Sequence, residues 1–141
     1  MEYVVDASVV VKWFIPEPYS SNAENLLVGF RNRQLILAAP DHVVAEVANA
    51  LWQRSTLRGE ISVSEAMDSC SDFLQIGLQL YPTPSLIESA LKLAGLARHP
   101  VYDMVYVALA SERQCEFITA DKKMVNKLAS AYPSIRWLGE F

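Results

Sequence analysis

Short apolar runs recur along the chain, and longer segments with apolar residues at helical spacing separate them. The runs contain no extended alternation of apolar and polar residues, which is typical of strands buried on both faces of a parallel sheet. Four strands are predicted, at Tyr3–Asp6, Leu35–Ala38, Glu116–Ala120 and Ser134–Leu138. Because helical segments lie between them, the pattern predicts an α/β fold with three layers, α/β/α, around a short, mostly parallel central sheet.

The predicted helices carry recognisable start signals. Capping boxes are predicted at Ser21-x-x-Glu24 and Ser62-x-x-Glu65. In Thr83-Pro84 the proline occupies a predicted first helical position. Residues 41–80 show no strand signal and are expected to form two consecutive helices. No repeat, linker or low-complexity tract interrupts this order, so residues 1–141 are expected to form a single domain.

Composition and charge narrow the class of protein. Apolar residues make up 52% and charged residues 20% of the chain, which is typical of a globular domain. No apolar run approaches the ~18 residues of a membrane span, and the N-terminus carries Glu2 and Asp6 where a signal peptide would carry lysine or arginine. We therefore expect a cytoplasmic protein without a membrane partner. The net charge of −4 excludes a global basic field, so any nucleic acid must be held locally.

Four acidic residues lie beside apolar segments. Asp6 and Asp121 each follow a predicted strand, Asp103 precedes the apolar stretch 104–110, and Glu46 lies in the helical segment 43–52. In open α/β sheets, ligands bind at the carboxyl ends of the strands. If the two strands are neighbours, Asp6 and Asp121 therefore point into one crevice.

These acids also have a simpler interpretation. Aspartate is a favoured helix N-cap, so Asp6, Asp103 and Asp121 could each cap a helix, and Glu46 could belong to a solvated helix face. Convergent carboxylates about 4–5 Å apart would instead repel by roughly 3–4 kcal/mol at an effective dielectric of about 20, and would require a cation or raised pKa values. Oxygen ligands select hard ions such as Mg²⁺ or Mn²⁺, which activate water and neutralise a phosphodiester.

Four segments together resemble a known family. They are Val4-Val5-Asp6-Ala7-Ser8, Val44-Ala45-Glu46-Val47-Ala48-Asn49-Ala50-Leu51, Tyr102–Ala110 and Ile118-Thr119-Ala120-Asp121. Their order and spacing closely resemble the PIN-domain ribonucleases of the VapC toxin type, over nearly the whole chain. The resemblance implies a PIN-like fold and a magnesium- or manganese-dependent endoribonuclease. It also implies an RNA substrate, a homodimer and inhibition by a small cognate antitoxin.

The resemblance assigns roles to individual positions. Asp6, Glu46, Asp103 and Asp121 match the catalytic, metal-binding acids of the family, and Ser8, Asn49 and Thr119 match polar residues that support them. Some relatives carry another acid shortly after the last aspartate. Here Lys122 and Lys123 follow Asp121, so the presence of one or two metal ions stays open.

Basic and aromatic residues give weaker signals. Lys12, Lys122 and Lys123 lie near the motifs and either form a local track for RNA phosphates or belong to a solvated surface. The three tryptophans fit packing better than base stacking. No zinc-like spacing links the two histidines or the two cysteines, so no metal or catalytic role is assigned to His42 or His99.

Three other functions are weighed against this one. A phosphatase of the haloacid-dehalogenase type needs Asp-x-Asp, whereas Asp6 is followed by Ala7-Ser8. A receiver-like magnesium-binding domain needs an acidic pair by the first strand and a lysine after the last, and neither is evident. A PIN-like fold that binds RNA or a protein partner without catalysis remains the third alternative. No motif encodes which RNA would be cut.

Overall fold

A computed structural model describes residues 1–141 and contains one five-stranded sheet. All neighbouring strands are parallel, in the order β3-β2-β1-β4-β5. The strands are β1 (Glu2–Val5), β2 (Ile36–Pro40), β3 (Gln79–Tyr81), β4 (Glu116–Thr119) and β5 (Ile135–Trp137). The α-helices are α1 (Ala7–Val10), α2 (Ser20–Arg31), α3 (Val43–Trp52), α4 (Val63–Ile76), α5 (Ile87–Ala97), α6 (Val101–Arg113) and α7 (Lys122–Leu128). A π-helix at Gln53–Leu57 follows α3 directly, and 3₁₀ turns lie at Val11–Trp13, Thr83–Ser85 and Leu138–Glu140.

The strand order places a crevice between β1 and β4. The chain winds outward from β1 to β2 and β3, then crosses back to β4 on the other side of β1 and winds outward again to β5. Connections therefore leave β1 and β4 in opposite directions, which opens a crevice at their carboxyl ends. In the register of this pair Val5 lies opposite Ile118, so Asp6 comes next to the end of β4.

The predicted α/β fold is confirmed, with one strand that the sequence does not indicate. The sequence predicts two helices in residues 41–80, and α3 and α4 lie there, but β3 begins at Gln79. This strand has three residues at the edge of the sheet and pairs only with β2. Gln79 and Leu80 are exposed, so β3 lacks the apolar run that identifies the central strands.

The helix starts match the predictions unevenly. The Ser62 hydroxyl accepts a hydrogen bond from the Glu65 amide at 3.0 Å and caps α4, as predicted. The box at Ser21 is wrong, because α2 already begins at Ser20, after Tyr19 in a left-handed conformation (φ 67°) without a side-chain cap. Pro84 is the second residue of the 3₁₀ turn Thr83–Ser85 rather than the first residue of a helix, and α5 begins at Ile87.

Helix α6 lies at the centre of the molecule. All seven residues 104–110 are buried, because α6 packs against α5 and contacts β1, β2 and β4. This burial on every side explains why its sequence is almost uniformly apolar rather than amphipathic. No helix is both long enough and apolar enough to cross a membrane.

Candidate active site

Asp6 lies at the crevice between β1 and β4 and contacts three uncharged donors. Oδ1 accepts from the Ser8 hydroxyl at 2.5 Å and from the Val9 amide at 3.3 Å, and Oδ2 accepts from the Thr119 hydroxyl at 2.5 Å. Burial raises the pKa of Asp6 to about 6; these hydrogen bonds lower it and the negative charge of Glu46 raises it slightly further. No cation contacts Asp6, so its negative charge is uncompensated within the protein.

Two hydroxyl groups join the end of β4 to the start of α1. Ser8 Oγ accepts from the Ala120 amide at 2.9 Å, and Thr119 Oγ1 accepts from the Asp121 amide at 3.1 Å. Each hydroxyl therefore accepts from the strand end while it donates to Asp6. The predicted supporting residues Ser8 and Thr119 thus fix Asp6 relative to the backbone of Asp121.

Asp121 caps α7 and also faces the crevice. Its Oδ1 accepts from the Met124 amide at 3.1 Å, and its exposed side chain shares a cavity with Ser8. The capping interpretation is therefore correct for Asp6 and Asp121 and wrong for Asp103, which lies inside the first turn of α6. Asp6 and Asp121 therefore each cap a helix and also lie at the crevice.

Glu46 projects from α3 and is held by two residues that the sequence does not indicate. Its Oε1 accepts from the Tyr106 hydroxyl at 2.6 Å and lies 3.1 Å from His42 Nε2. Burial acts to raise the pKa of Glu46, but these hydrogen bonds outweigh it and the pKa is lowered. Glu46 therefore stays ionised. Asn49 follows one turn later, exposed, and lines the same cavity without a hydrogen bond to any of the acids.

Asp103 is the end of a short chain of hydrogen bonds. Its Oδ2 lies 2.6 Å from His99 Nε2, and His99 Nδ1 lies 3.1 Å from Lys127 Nζ. An ammonium group can only donate, so Nδ1 accepts and Nε2 carries the proton that faces Asp103. Lys127 Nζ also donates to the Arg98 carbonyl at 2.8 Å, which fixes the far end of the chain.

Tyr106 marks where the acids of α3, α6 and β1 approach one another. It is buried, and burial raises the pKa of its hydroxyl, with further increases from the charges of Asp6, Glu46 and Asp103. The two histidines and Tyr106 could have been found from spacing. His42, at the N-cap of α3, precedes Glu46 by four residues, and His99, just before α6, precedes Asp103 by four, while Tyr106 follows Asp103 by three.

A continuous groove runs along α3 and is lined by Glu46 and Asp121. Its first part has a volume of about 620 Å³, its middle about 400 Å³ and its last part about 410 Å³. The first and middle parts share Ala45 and Glu46, and the middle and last share Ala7, Ala50 and Gln53. We call this the α3 groove. Asp121 and Ser8 line its last part, so the groove passes the carboxyl edge of the sheet.

The donor set of the groove fits a hard divalent cation. No three acidic, histidine or cysteine side chains are close enough to surround one ion in this conformation. The predicted acids nevertheless offer only oxygen ligands, and the half-buried Asp6 carboxylate has no positive partner. A divalent cation would supply that missing charge, and oxygen ligands are those that Mg²⁺ and Mn²⁺ prefer.

The predicted RNA-binding lysines lie in different surroundings. Lys12 lines the groove, but its amine contacts Glu17 at 2.7 Å and only 9% of its side chain is exposed. Lys122 Nζ lies 3.6 Å from the centre of the Trp137 ring, and Lys123 is exposed. Two further cations that the sequence does not indicate, Arg54 and Arg58, line the last part of the groove.

Similarity to known proteins extends over most of the chain. The model of the family described as PIN domain matches residues 3–129. Ribonuclease VapC3 of Pyrobaculum aerophilum is 30% identical over 129 residues, which cover 90% of this chain and 95% of that protein.

Two solved structures share the fold. The crystal structure of PAE2754 from Pyrobaculum aerophilum has a TM-score of 0.73 at 21% identity, covering 99% of this chain and 85% of that one. VapC20 of Mycobacterium tuberculosis, described as a sarcin-ricin loop cleaving toxin, has a TM-score of 0.63 at 14% identity, covering 92% and 95% respectively.

Proposed function

Because this chain belongs to the PIN-domain family, we propose that it is a VapC-type endoribonuclease, the toxin of a toxin–antitoxin pair, that hydrolyses RNA phosphodiester bonds with Mg²⁺ or Mn²⁺. The family match confirms the resemblance that the sequence motifs indicate. The observation that carries the activity is the position of Asp6, half-buried at the crevice, fixed by neutral donors and lacking a positive partner.

Asp6, Glu46, Asp103 and Asp121 are the residues that would hold the metal. When bound, the ion supplies charge neutralisation and water activation for displacement at phosphorus. The protein fixes its own ligands beforehand. Ser8 and Thr119 orient Asp6, His42 and Tyr106 orient Glu46, and His99 orients Asp103. Such outer contacts fix the direction in which each carboxylate presents its free lone pairs.

The first part of the α3 groove fits the inhibitory partner. Ile87, Val101 and Tyr102 form an apolar wall beside Glu46. We assign this wall to an extended segment of a small antitoxin, with an arginine or lysine that pairs with Glu46, since charge-assisted hydrogen bonds to carboxylates are strong. A complex in which the antitoxin leaves Glu46 open to solvent would contradict this assignment.

The same proposal includes a cytoplasmic homodimer. Its support is an exposed apolar surface on α3 and α4, where Trp52, Val63 and Met67 surround a cavity of about 180 Å³. Light scattering should give about twice the chain mass of 15.8 kDa, and Met67→Lys should return the mass to that of one chain. A monomeric wild type would contradict the dimer.

The activity is tested with a fluorescently labelled single-stranded RNA. Wild type should cut it with Mg²⁺ or Mn²⁺ and not with EDTA, and Asp6→Asn should reduce cutting to background. Asp68→Asn is the matched control, because Asp68 is an exposed acid on α4 outside the groove. If Asp6→Asn cuts as fast as Asp68→Asn, the chain is not a nuclease of this mechanism, and RNA binding alone would favour the non-catalytic alternative.

A further inference from the structure

The last part of the α3 groove carries a cationic cluster that the metal-dependent chemistry does not use. We propose that Arg58, positioned by Arg54 and Glu60, binds a phosphate of the RNA strand adjacent to the phosphate that is cut. This inference rests on the proposed ribonuclease function and deepens it, because it assigns a path to the strand along the groove. Glu46 and Asp6 would lie at the cleaved phosphate and Arg58 at its neighbour.

The π-helix turns Arg58 into the groove. In α3 the groove-facing residues Glu46, Asn49, Ala50 and Gln53 follow helical spacing. The Arg58 amide donates to the Gln53 carbonyl at 3.0 Å, a bond across five residues instead of four. A π turn needs more residues for each revolution, so the residues after it rotate back relative to a regular α-helix. Arg58 thereby joins Gln53 and Arg54 along the groove.

A side-chain hydrogen bond from Ser55 holds the π-helix to the end of α3. Ser55 is buried, and its hydroxyl donates to the Leu51 carbonyl at 2.8 Å and approaches the Trp52 carbonyl at 3.3 Å. Both carbonyls belong to the last two residues of α3, directly before the π-helix. π turns occur frequently at functional sites, since the inserted residue costs helix stability. This turn therefore has a visible structural consequence, which is the placement of Arg58.

Arg54 and Arg58 differ in how fully they are paired. Arg54 donates to Glu17 and, at 2.8 Å, to Glu60, and only 20% of its side chain is exposed. Arg58 has only Glu60 at 3.8 Å, and 60% of its side chain is exposed. Arg54 is thus a fixed structural cation, whereas the Arg58 guanidinium retains free donors.

The charges along the groove favour a phosphate at this position. The last part is lined by three cations, Lys12, Arg54 and Arg58, against the two carboxylates of Glu17 and Asp121, whereas Glu46 supplies the only formal charge of the middle part. Glu60 balances the third cation, but it contacts Arg54 at 2.8 Å and Arg58 only at 3.8 Å, so the cation with free donors beside Asp121 is Arg58. A guanidinium presents paired N–H groups that match two phosphate oxygens. An RNA backbone that spans both parts of the groove would therefore place one phosphate at Arg58 and the neighbouring phosphate at the predicted metal ligands.

The experiment measures RNA binding in the Asp6→Asn background, so that the RNA stays intact. A labelled single-stranded RNA is titrated with protein in Mg²⁺ at several salt concentrations, and fluorescence anisotropy gives Kd. Arg58→Gln should raise Kd several-fold and reduce the slope of log Kd against log salt by about 0.7, the value for one phosphate contact on a single strand. Arg58→Lys keeps the charge and should keep the slope.

Arg31→Gln is the matched control, because Arg31 is exposed at the far end of α2, where the chain approaches the amino end of β2. It removes one positive charge and should change neither Kd nor slope. In protein with Asp6 intact, Arg58→Gln should lower kcat/KM through a rise in KM. Circular dichroism of each variant verifies that the fold is retained.

Two results separate this inference from the function on which it rests. If wild type cuts RNA with metal but Arg58→Gln and Arg31→Gln bind RNA alike, the phosphate site is wrong and the ribonuclease assignment stands. The phosphate site would also be wrong if Arg58→Gln binds RNA normally but no longer binds a protein partner. If wild type neither binds nor cuts RNA, the proposed function fails and this inference fails with it.

Discussion

Burial and hydrogen bonding act in opposite directions on the Asp6 carboxylate. Burial opposes its ionisation, and the two hydroxyls and one amide that contact it compensate only in part. A folded-state pKa of about 6, above the ordinary value of 3.8, means that the native protein retains the Asp6 proton at pH values where the unfolded chain has lost it. Ionisation of Asp6 therefore destabilises the metal-free fold.

The raised pKa of Asp6 predicts that the free energy of unfolding of the metal-free protein, measured in EDTA, depends on pH. Below about pH 4 both states hold the proton, so Asp6 contributes nothing to the pH dependence. As pH rises toward about 6 the unfolded chain ionises first, and the free energy of unfolding of wild type should fall relative to Asp6→Asn by on the order of 2 kcal/mol. Urea melts between about pH 4 and pH 8 measure this difference. A difference that is constant across the range would contradict the raised pKa of Asp6.

Tyr106 provides a second test at a single residue. Its hydroxyl is one of two donors that keep the pKa of Glu46 low. In Tyr106→Phe that pKa should rise, so the acidic limb of the cleavage rate should move to higher pH, and the unfolding free energy should fall by about 1 kcal/mol.

The control is Tyr132→Phe, since Tyr132 packs against the core and its hydroxyl has no hydrogen-bond partner in the protein. Its pH–rate profile should match that of wild type. A Tyr106→Phe profile that superimposes on both would show that the hydroxyl does not tune Glu46.

Elements with strong local signals are predictable from the sequence, and those defined by tertiary contacts are not. The end of β1 at Asp6 and the end of β4 near Asp121 follow from apolar runs and capping aspartates. The three-residue edge strand β3 exists through pairing with β2, which no local pattern encodes. Arg54 lies four residues after the groove residue Ala50, as helical spacing allows, but no local pattern indicates the π-helix that carries the chain on to Arg58.

Two glycines on neighbouring elements should respond oppositely to alanine. Gly77 ends α4 with φ +81°, a conformation that strains any side chain, so Gly77→Ala should lower the unfolding free energy by about 1 kcal/mol. Gly95 lies inside α5 with open space where an alanine methyl group would lie, so Gly95→Ala should raise it by about 0.5–1 kcal/mol. Urea denaturation measures both. Equal signs would contradict these helix boundaries.

On the scale of the whole molecule, the strand order brings distant segments to one crevice. Asp6 and Thr119 are 113 positions apart in sequence and share a hydrogen bond, because β1 and β4 are neighbours. Motifs and a family resemblance predict the four-acid set. The structure places Glu46 and Asp121 along one groove, with Asp6 next to the groove residues Ala7 and Ser8, and Asp103 near Tyr106. The sequence analysis assigns no role to His42 or His99, although each lies four residues before the acid that it contacts, and the structure shows these contacts.

The central claim is that these acids form one divalent-metal site, and calorimetric titration with Mn²⁺ tests it most directly. Wild type should show saturable binding, and Asp6→Asn and Glu46→Gln should each weaken it by at least about tenfold, since loss of even a residue that only orients a ligand costs that much. Asp68→Asn should bind as wild type does, because Asp68 lies outside the groove. Absence of saturable binding to wild type, or equal affinity in Asp6→Asn and Asp68→Asn, would contradict the claim.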